Sequence, residues 1–167
     1  TAISNISSYH YGGPQFQYSN GRYYLATEYY WITGERRDGY TVYDDYSAEG
    51  GSIYGQYFFN SDATVKISSK KGKIGGVKCK AKFGCTAAKF MLESIDTRDG
   101  ELNGLNGTHG KAIHIGLNHY FNSNVRLMVD ATRGVYLGGH NDFYSDGNRA
   151  DRRHTMTSIQ ARLHAKF

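Results

Sequence analysis

The chain has 167 residues, 39% apolar and 21% charged, which is enough for one domain and excludes a disordered tail. Its mean hydropathy is −0.61, and apolar runs such as Phe90–Leu92 fall far short of the ~20 residues of a membrane helix, although a transmembrane β-barrel remains open because its strands alternate apolar and polar residues. The net charge of +5 admits nucleic acid, anionic lipid or anionic solute as partner without choosing among them, and 21 glycines, 15 tyrosines and one proline suit strands joined by loops better than a helical bundle.

Thr1–Gly13 has little pattern and reads as a loop. No signal peptide is present and the chain opens on Thr1, so the expectation is a mature, trimmed or partial chain. From Pro14 the pattern alternates, and Ser19-Asn20-Gly21-Arg22 is a hairpin signal. Arg22–Thr33 follows as a strand with Tyr23, Leu25, Thr27, Tyr29 and Trp31 on one face. Residues 34–51 read as a long polar loop. Ser52–Asn60 is the next strand, with Ile53, Gly55, Tyr57 and Phe59 on one face.

The segment 61–85 differs. Lys66, Lys70, Lys71, Lys73, Lys78, Lys80 and Lys82 fall within it, and no acidic residue occurs between Asp62 and Glu93. Lys78, Lys80 and Lys82 alternate with Val77, Cys79 and Ala81, which predicts three ammonium groups on one face of an extended segment. They form either a solvated edge that blunts aggregation or a basic collar facing an anion path. Cys79 and Cys85 do not have zinc or haem spacing. A disulfide across a small loop, implying an oxidising compartment, is the first reading and two free thiols the alternative.

Thr86–Asp96 reads as a strand, followed by a Gly/Asn-rich loop over 97–110. Lys111–Phe121 and Asn124–Tyr136 form a hairpin around Asn122-Ser123, and 134–153 is another long polar loop. The last stretch, His154–Phe167, alternates throughout. Thr155, Thr157, Ile159, Ala161, Leu163, Ala165 and Phe167 share one face. Such length with an aromatic terminus suits a tilted membrane strand better than a strand of a soluble sandwich. Seven main strands are expected. Short connections (Asn20-Gly21, Asn122-Ser123) alternate with long ones, as in outer-membrane barrels with short periplasmic turns. On that count 61–85 is a lysine-rich insertion on the periplasmic side. Tyr29, Trp31, Tyr57, Phe59, Phe121 and Phe167 lie near strand ends, where interfacial aromatic girdles sit.

Gly116-Leu117-Asn118-His119-Tyr120-Phe121-Asn122-Ser123-Asn124-Val125-Arg126-Leu127-Met128-Val129-Asp130 resembles the GLNWYLNPNVRLMLNY hairpin of the phosphate-selective porin O/P family. Leu25–Trp31, Ile53–Phe59, Gly84–Asp96 and Ile159–Phe167 resemble further strands of that family in the same order. The matches cover most of Gly21–Phe167 but only the C-terminal part of such a porin. The resemblance implies a transmembrane antiparallel β-barrel of about 16 strands, usually a homotrimer, passing small anionic solutes across the outer membrane of a Gram-negative bacterium. This chain departs from the pattern at His119, where the family has a girdle Trp, and at Ser123, where it has a turn Pro. The insertion also stands where a Thr-Gly-Glu usually follows the third strand.

Seven strands leave two sheet edges, and unsatisfied backbone in lipid costs several kcal/mol per group, so further strands from the same or a second chain are expected as partners besides lipid. If the terminal Phe faces lipid, the opposite parity faces the lumen. That set holds Glu28, Lys89, Glu93, Arg126, Asp130, Arg162, His164 and Lys166, with Gln56, Asn118 and Gln160 uncharged. These charges nearly cancel, and for any single one the first reading is a salt bridge that props the wall. The lysines of 66–82 tip the balance to anions if the segment folds into or beneath the pore.

Other constellations are weak. Asp142, Asp146, Asn148 and Asp151 lack the spacing of a calcium loop, the histidines form no metal set by spacing, and neither a phosphate loop nor a nucleophile elbow is present. The expectation is therefore a non-enzyme without cofactor, metal or nucleic acid. A porin segment comes first, a structural or split-barrel wall around a partner protein second, and a soluble β-sandwich binding anionic glycans third.

Overall fold

A computed structural model describes residues 6–36, 46–60, 62–68, 73–97, 108–138 and 153–166. The described residues are almost entirely antiparallel β-structure. The strands are β1 (Ile6–Gly12), β2 (Gln15–Asn20), β3 (Tyr23–Arg36), β4 (Tyr46–Phe58), β5 (Ala63–Ser68), β6 (Lys73–Cys79), β7 (Cys85–Asp96), β8 (Thr108–Tyr120), β9 (Val125–Gly138) and β10 (Arg153–Ala165). The main sheet runs β1/β2-β3-β4-β7-β8-β9-β10, and β5 and β6 form a separate hairpin.

β1 and β2 occupy one strand position. Gly12 pairs Trp31 and Gln15 pairs Glu28 in the same register along β3. Pro14 breaks the ladder because it has no N–H to give, while its carbonyl still accepts from the Tyr29 N–H at 3.0 Å. The seven expected main strands are thus seven positions across the sheet. Three expected loops are corrected. Residues 6–12, expected as loop, form β1, because pairing to β3 overrides a sequence with little alternation. Of the expected loop 34–51, both ends are strand, since β3 continues to Arg36 and β4 begins at Tyr46. The expected loop starting at residue 134 likewise gives way to β9, which runs to Gly138.

The short connections form as their residues dictate. Gly21, at φ 56°, supplies the left-handed position of the β2–β3 turn. In the β8–β9 turn the Asn122 carboxamide oxygen accepts from the backbone N–H groups of Asn124 and Val125 at 2.8 and 2.9 Å.

Directly opposed residues share a face, so the register sorts the whole sheet. Leu25, Gly55, Phe90, Ile115, Ala131 and Ile159 make one row across it, and Tyr23, Tyr57, Ala88, Leu117, Val129 and Ala161 another. Position 55 is a glycine, and the Phe90 ring occupies the space a Cβ there would take. This apolar face is uncovered: Ile115 is 56% exposed and Ile159 80%. Aromatic side chains close the face at the short-turn end, where the Tyr23 and Tyr57 rings lie 5.1 Å apart and the His119 and Phe121 rings 4.6 Å apart. Tyr29 and Trp31 lie toward the other end. Phe167 lies outside the described residues.

The buried core is on the opposite face. Tyr24, Phe58, Ala87, Cys85 and Tyr120 of the sheet enclose Ala63 and Val65 of β5. All the sheet members have the parity of the polar face. The β5–β6 hairpin therefore lies on that face, at the short-turn end, and its apolar side supplies the only extensive burial among the described residues.

Candidate functional site

Every charged residue expected on the polar side shares one face of the sheet. Glu28 is on β3, Lys89 and Glu93 on β7, Arg126 and Asp130 on β9, and Arg162 and His164 on β10. Lys166 follows β10, where its N–H donates to the Asn124 carbonyl at 2.9 Å. The register fixes their order along the strands. From the turn end, the rows run Tyr120–Arg126–His164, then Ala87–Asn118–Met128–Arg162, then Gln56–Lys89–Gly116–Asp130–Gln160. The row holding Glu28, Ser52 and Glu93 lies further toward the long connections.

The charges are not mixed evenly. Lys89 Nζ lies 2.5 Å from Asp130 Oδ1, so these two cancel. They reach each other across β8 because Gly116 stands between them. A Cβ there would overlap the Asp130 carboxylate. Glu93 Oε1 accepts from His114 Nε2 at 3.0 Å, and the other ring nitrogen accepts from the Thr132 hydroxyl at 2.8 Å when the ring is neutral. Glu28 accepts from the Ser52 hydroxyl at 3.2 Å. Among the described residues Arg126, Arg162 and Lys166 have no carboxylate partner, and Arg126 Nε is buried without a hydrogen bond. The carboxylates thus sit in the middle and at the long-connection end, and unpaired cations sit at the turn end.

Polar side chains join the middle to the hairpin. Tyr54 donates to Gln56 Oε1 at 2.7 Å, Gln56 Nε2 donates to the Tyr120 hydroxyl at 3.1 Å, and Asn118 Nδ2 reaches the same oxygen at 3.4 Å. Buried amides held in such a chain fix the wall that carries β5.

Cys79 and Cys85 are joined by a disulfide, their Cα atoms 5.8 Å apart, which ties the end of β6 to the start of β7. The extended alternation expected through Lys82 stops at Cys79. Lys78 belongs to β6 and Lys80 follows it, but Lys82 lies in a turn, its ammonium 5.7 Å from the centre of the Phe83 ring. The turn is forced by the disulfide and by Gly84, at φ 89°. Of the three lysines expected on one face, Lys82 is therefore not carried there by β6, whereas Lys66 shares the face of Lys78, because Lys66 pairs Gly76 and Thr64 pairs Lys78. The Val65/Lys66/Ile67 alternation carried that signal. His114, opposite Ile113 and Ile115 in parity, was similarly legible as a polar-face residue.

Among the described residues no three His, Cys, Asp or Glu side chains come together to hold a metal ion. The face offers charge and hydrogen bonding over an extended surface.

A comparison with curated proteins finds no match. Across residues 8–167 the sequence fits the protein family described as phosphate-selective porin O and P. With nearly the whole length matched, and with an uncovered apolar face opposite a charged one, the chain belongs to that porin family.

Proposed function

We propose that this chain forms part of the wall of an outer-membrane diffusion channel, and that the channel prefers small anions, phosphate among them. The observation that carries the reading is the sorting of the two faces. A sheet in water would hide the row Leu25–Phe90–Ile115–Ile159 and expose Lys89, Arg126 and Asp130. Here the apolar row is bare and burial occurs on the charged side, which suits acyl chains outside and water inside. Unpaired Arg126, Arg162 and Lys166, together with the lysines of the hairpin, support the anion preference, since low-dielectric walls focus the field of uncompensated charge. The sheet pairs on one side only at β1/β2 and at β10 among the described residues, so further strands of the same or a second polypeptide complete it.

The test is planar-bilayer conductance of the whole protein in a salt gradient. Ohmic channels with a reversal potential toward the anion side are expected. A cation-side reversal potential refutes the preference. Absence of conductance from a correctly assembled barrel favours a structural wall around a partner chain.

A further inference from the structure

The β5–β6 hairpin has two unlike faces, and the sheet uses only one of them. Ala63, Val65 and Val77 face Tyr24, Phe58 and Tyr120. Thr64, Lys66, Gly76 and Lys78 share the other face, and Lys66, Lys78 and the following Lys80 are exposed there. Among the described residues no carboxylate pairs with any of these three lysines. This charge is therefore unlike that of Lys89, which Asp130 cancels.

We infer that the hairpin is the constriction of the channel and that Lys66, Lys78 and Lys80 set the field solutes cross there; this rests on the channel reading above. Stacked β layers lie about 10 Å apart, so a second layer on the inner wall moves the boundary of the water path inward by about that distance on this side. The lysine arms extend beyond it. A charge acts most strongly on a passing ion where the path is narrowest, because there the least water intervenes.

The hairpin is also held as a filter must be held. The Cys79–Cys85 disulfide fixes its exit. At its entry the Asn60 carboxamide accepts from the Thr86 N–H at 2.9 Å, fastening the chain to β7. The Ser19 hydroxyl donates to the Val65 carbonyl at 2.9 Å, which secures β5 against β2. These bonds, with the burial of Phe58 and Val65, keep the cations at fixed depth.

Two variants of the full protein test this in planar bilayers under a KCl gradient. In the first, Lys66→Glu, Lys78→Glu and Lys80→Glu are combined. In the second, residues 61–84 are replaced by an Asn-Gly turn and Cys85→Ala removes the remaining thiol. The triple variant is expected to shift the reversal potential toward the potassium equilibrium potential. The shortened variant is expected to conduct more per channel and to discriminate less between the ions. Parent-like conductance in the shortened variant, or a parent-like reversal potential in the triple variant, overturns the inference while leaving a measured anion preference of the parent intact. A parent that prefers cations, with a triple variant that prefers them more, removes the anion reading and keeps the constriction.

Discussion

Replacing Ile115 by Arg distinguishes an apolar face in lipid from one in water. Ile115 lies in β8, near the middle of the sheet, between Phe90 and Ala131. From Lys111 in β8 to Phe121 just past its end is ten steps, which at about 3.4 Å per residue and a tilt of about 40° spans about 26 Å of membrane normal. Ile115 falls close to half depth. With 56% of its surface exposed, an aqueous Ile115 would tolerate Arg within about 0.5 kcal/mol. At the midplane of hydrocarbon the same Arg costs about 2–4 kcal/mol. Gln160→Arg, in β10 but of opposite parity, is the control, because its side chain faces water in either case. The assay is reversible folding of the full protein into lipid vesicles along a urea gradient. The expected result is a loss of about 2–4 kcal/mol for Ile115→Arg and almost none for Gln160→Arg. Equal stabilities for the two would refute the assignment of faces.

Three further outcomes follow from the polar side. Phe58 is fully buried beneath the hairpin, so Phe58→Ala is expected to cost about 3–5 kcal/mol and to open Lys66 and Lys78 to trypsin, read by mass spectrometry of the fragments. Replacing both Cys79 and Cys85 by Ser removes a small closed loop worth about 2 kcal/mol in chain entropy; urea midpoints and noisier open-channel currents check it, and unchanged noise would show that burial and the Asn60 and Ser19 hydrogen bonds hold the hairpin without the disulfide. Lys89→Met leaves Asp130 uncompensated and is expected to move the reversal potential toward cations, whereas Asp130→Asn frees Lys89 and moves it toward anions; shifts of the same sign would contradict their pairing.

The strands were legible where one period dominates. His154–Phe167 alternates without interruption, and β10 covers Arg153–Ala165. The face assignments followed from the same period, since a single step of parity fixes every side chain of a strand. The ends of β3 and β4 were not legible. Gly34, Glu35 and the run Ser47–Gly51 carry little apolar signal, and they are strands because each continues the backbone ladder of its neighbours. β1 was hidden for a related reason, as Gly13-Pro14 interrupts the alternation while the register passes through unchanged. For the polar face, the sequence identified which side each charge occupies but not its neighbours. That Lys89 meets Asp130 depends on the absence of a side chain at Gly116, a consequence of cross-strand register that no single segment encodes.

The placement of the β5–β6 hairpin has a physical cause. A lysine-rich run between two strands is compatible with a solvated edge, and alternation alone does not separate that from a wall-bound hairpin. Placement is decided by the other half of the alternation. Ala63, Val65, Ile67, Val77 and Cys79 need an apolar surface, and the outward face at that end offers only rings already spaced as a girdle, such as Tyr23 with Tyr57. The polar face presents Tyr24, Phe58, Ala87 and Tyr120 together near the same turn, an apolar patch that is costly to leave in water unless something covers it. Burial of the patch and display of the lysines are therefore one event: whatever seats Val65 on Phe58 turns Lys66 and Lys78 away from the wall. A variant that keeps the lysines but weakens the patch, such as Phe58→Ala, should lose selectivity together with protease resistance, whereas Lys66→Glu with Lys78→Glu should lose selectivity alone. If Phe58→Ala became protease-sensitive yet kept the parent reversal potential, the lysines would not be acting from the wall.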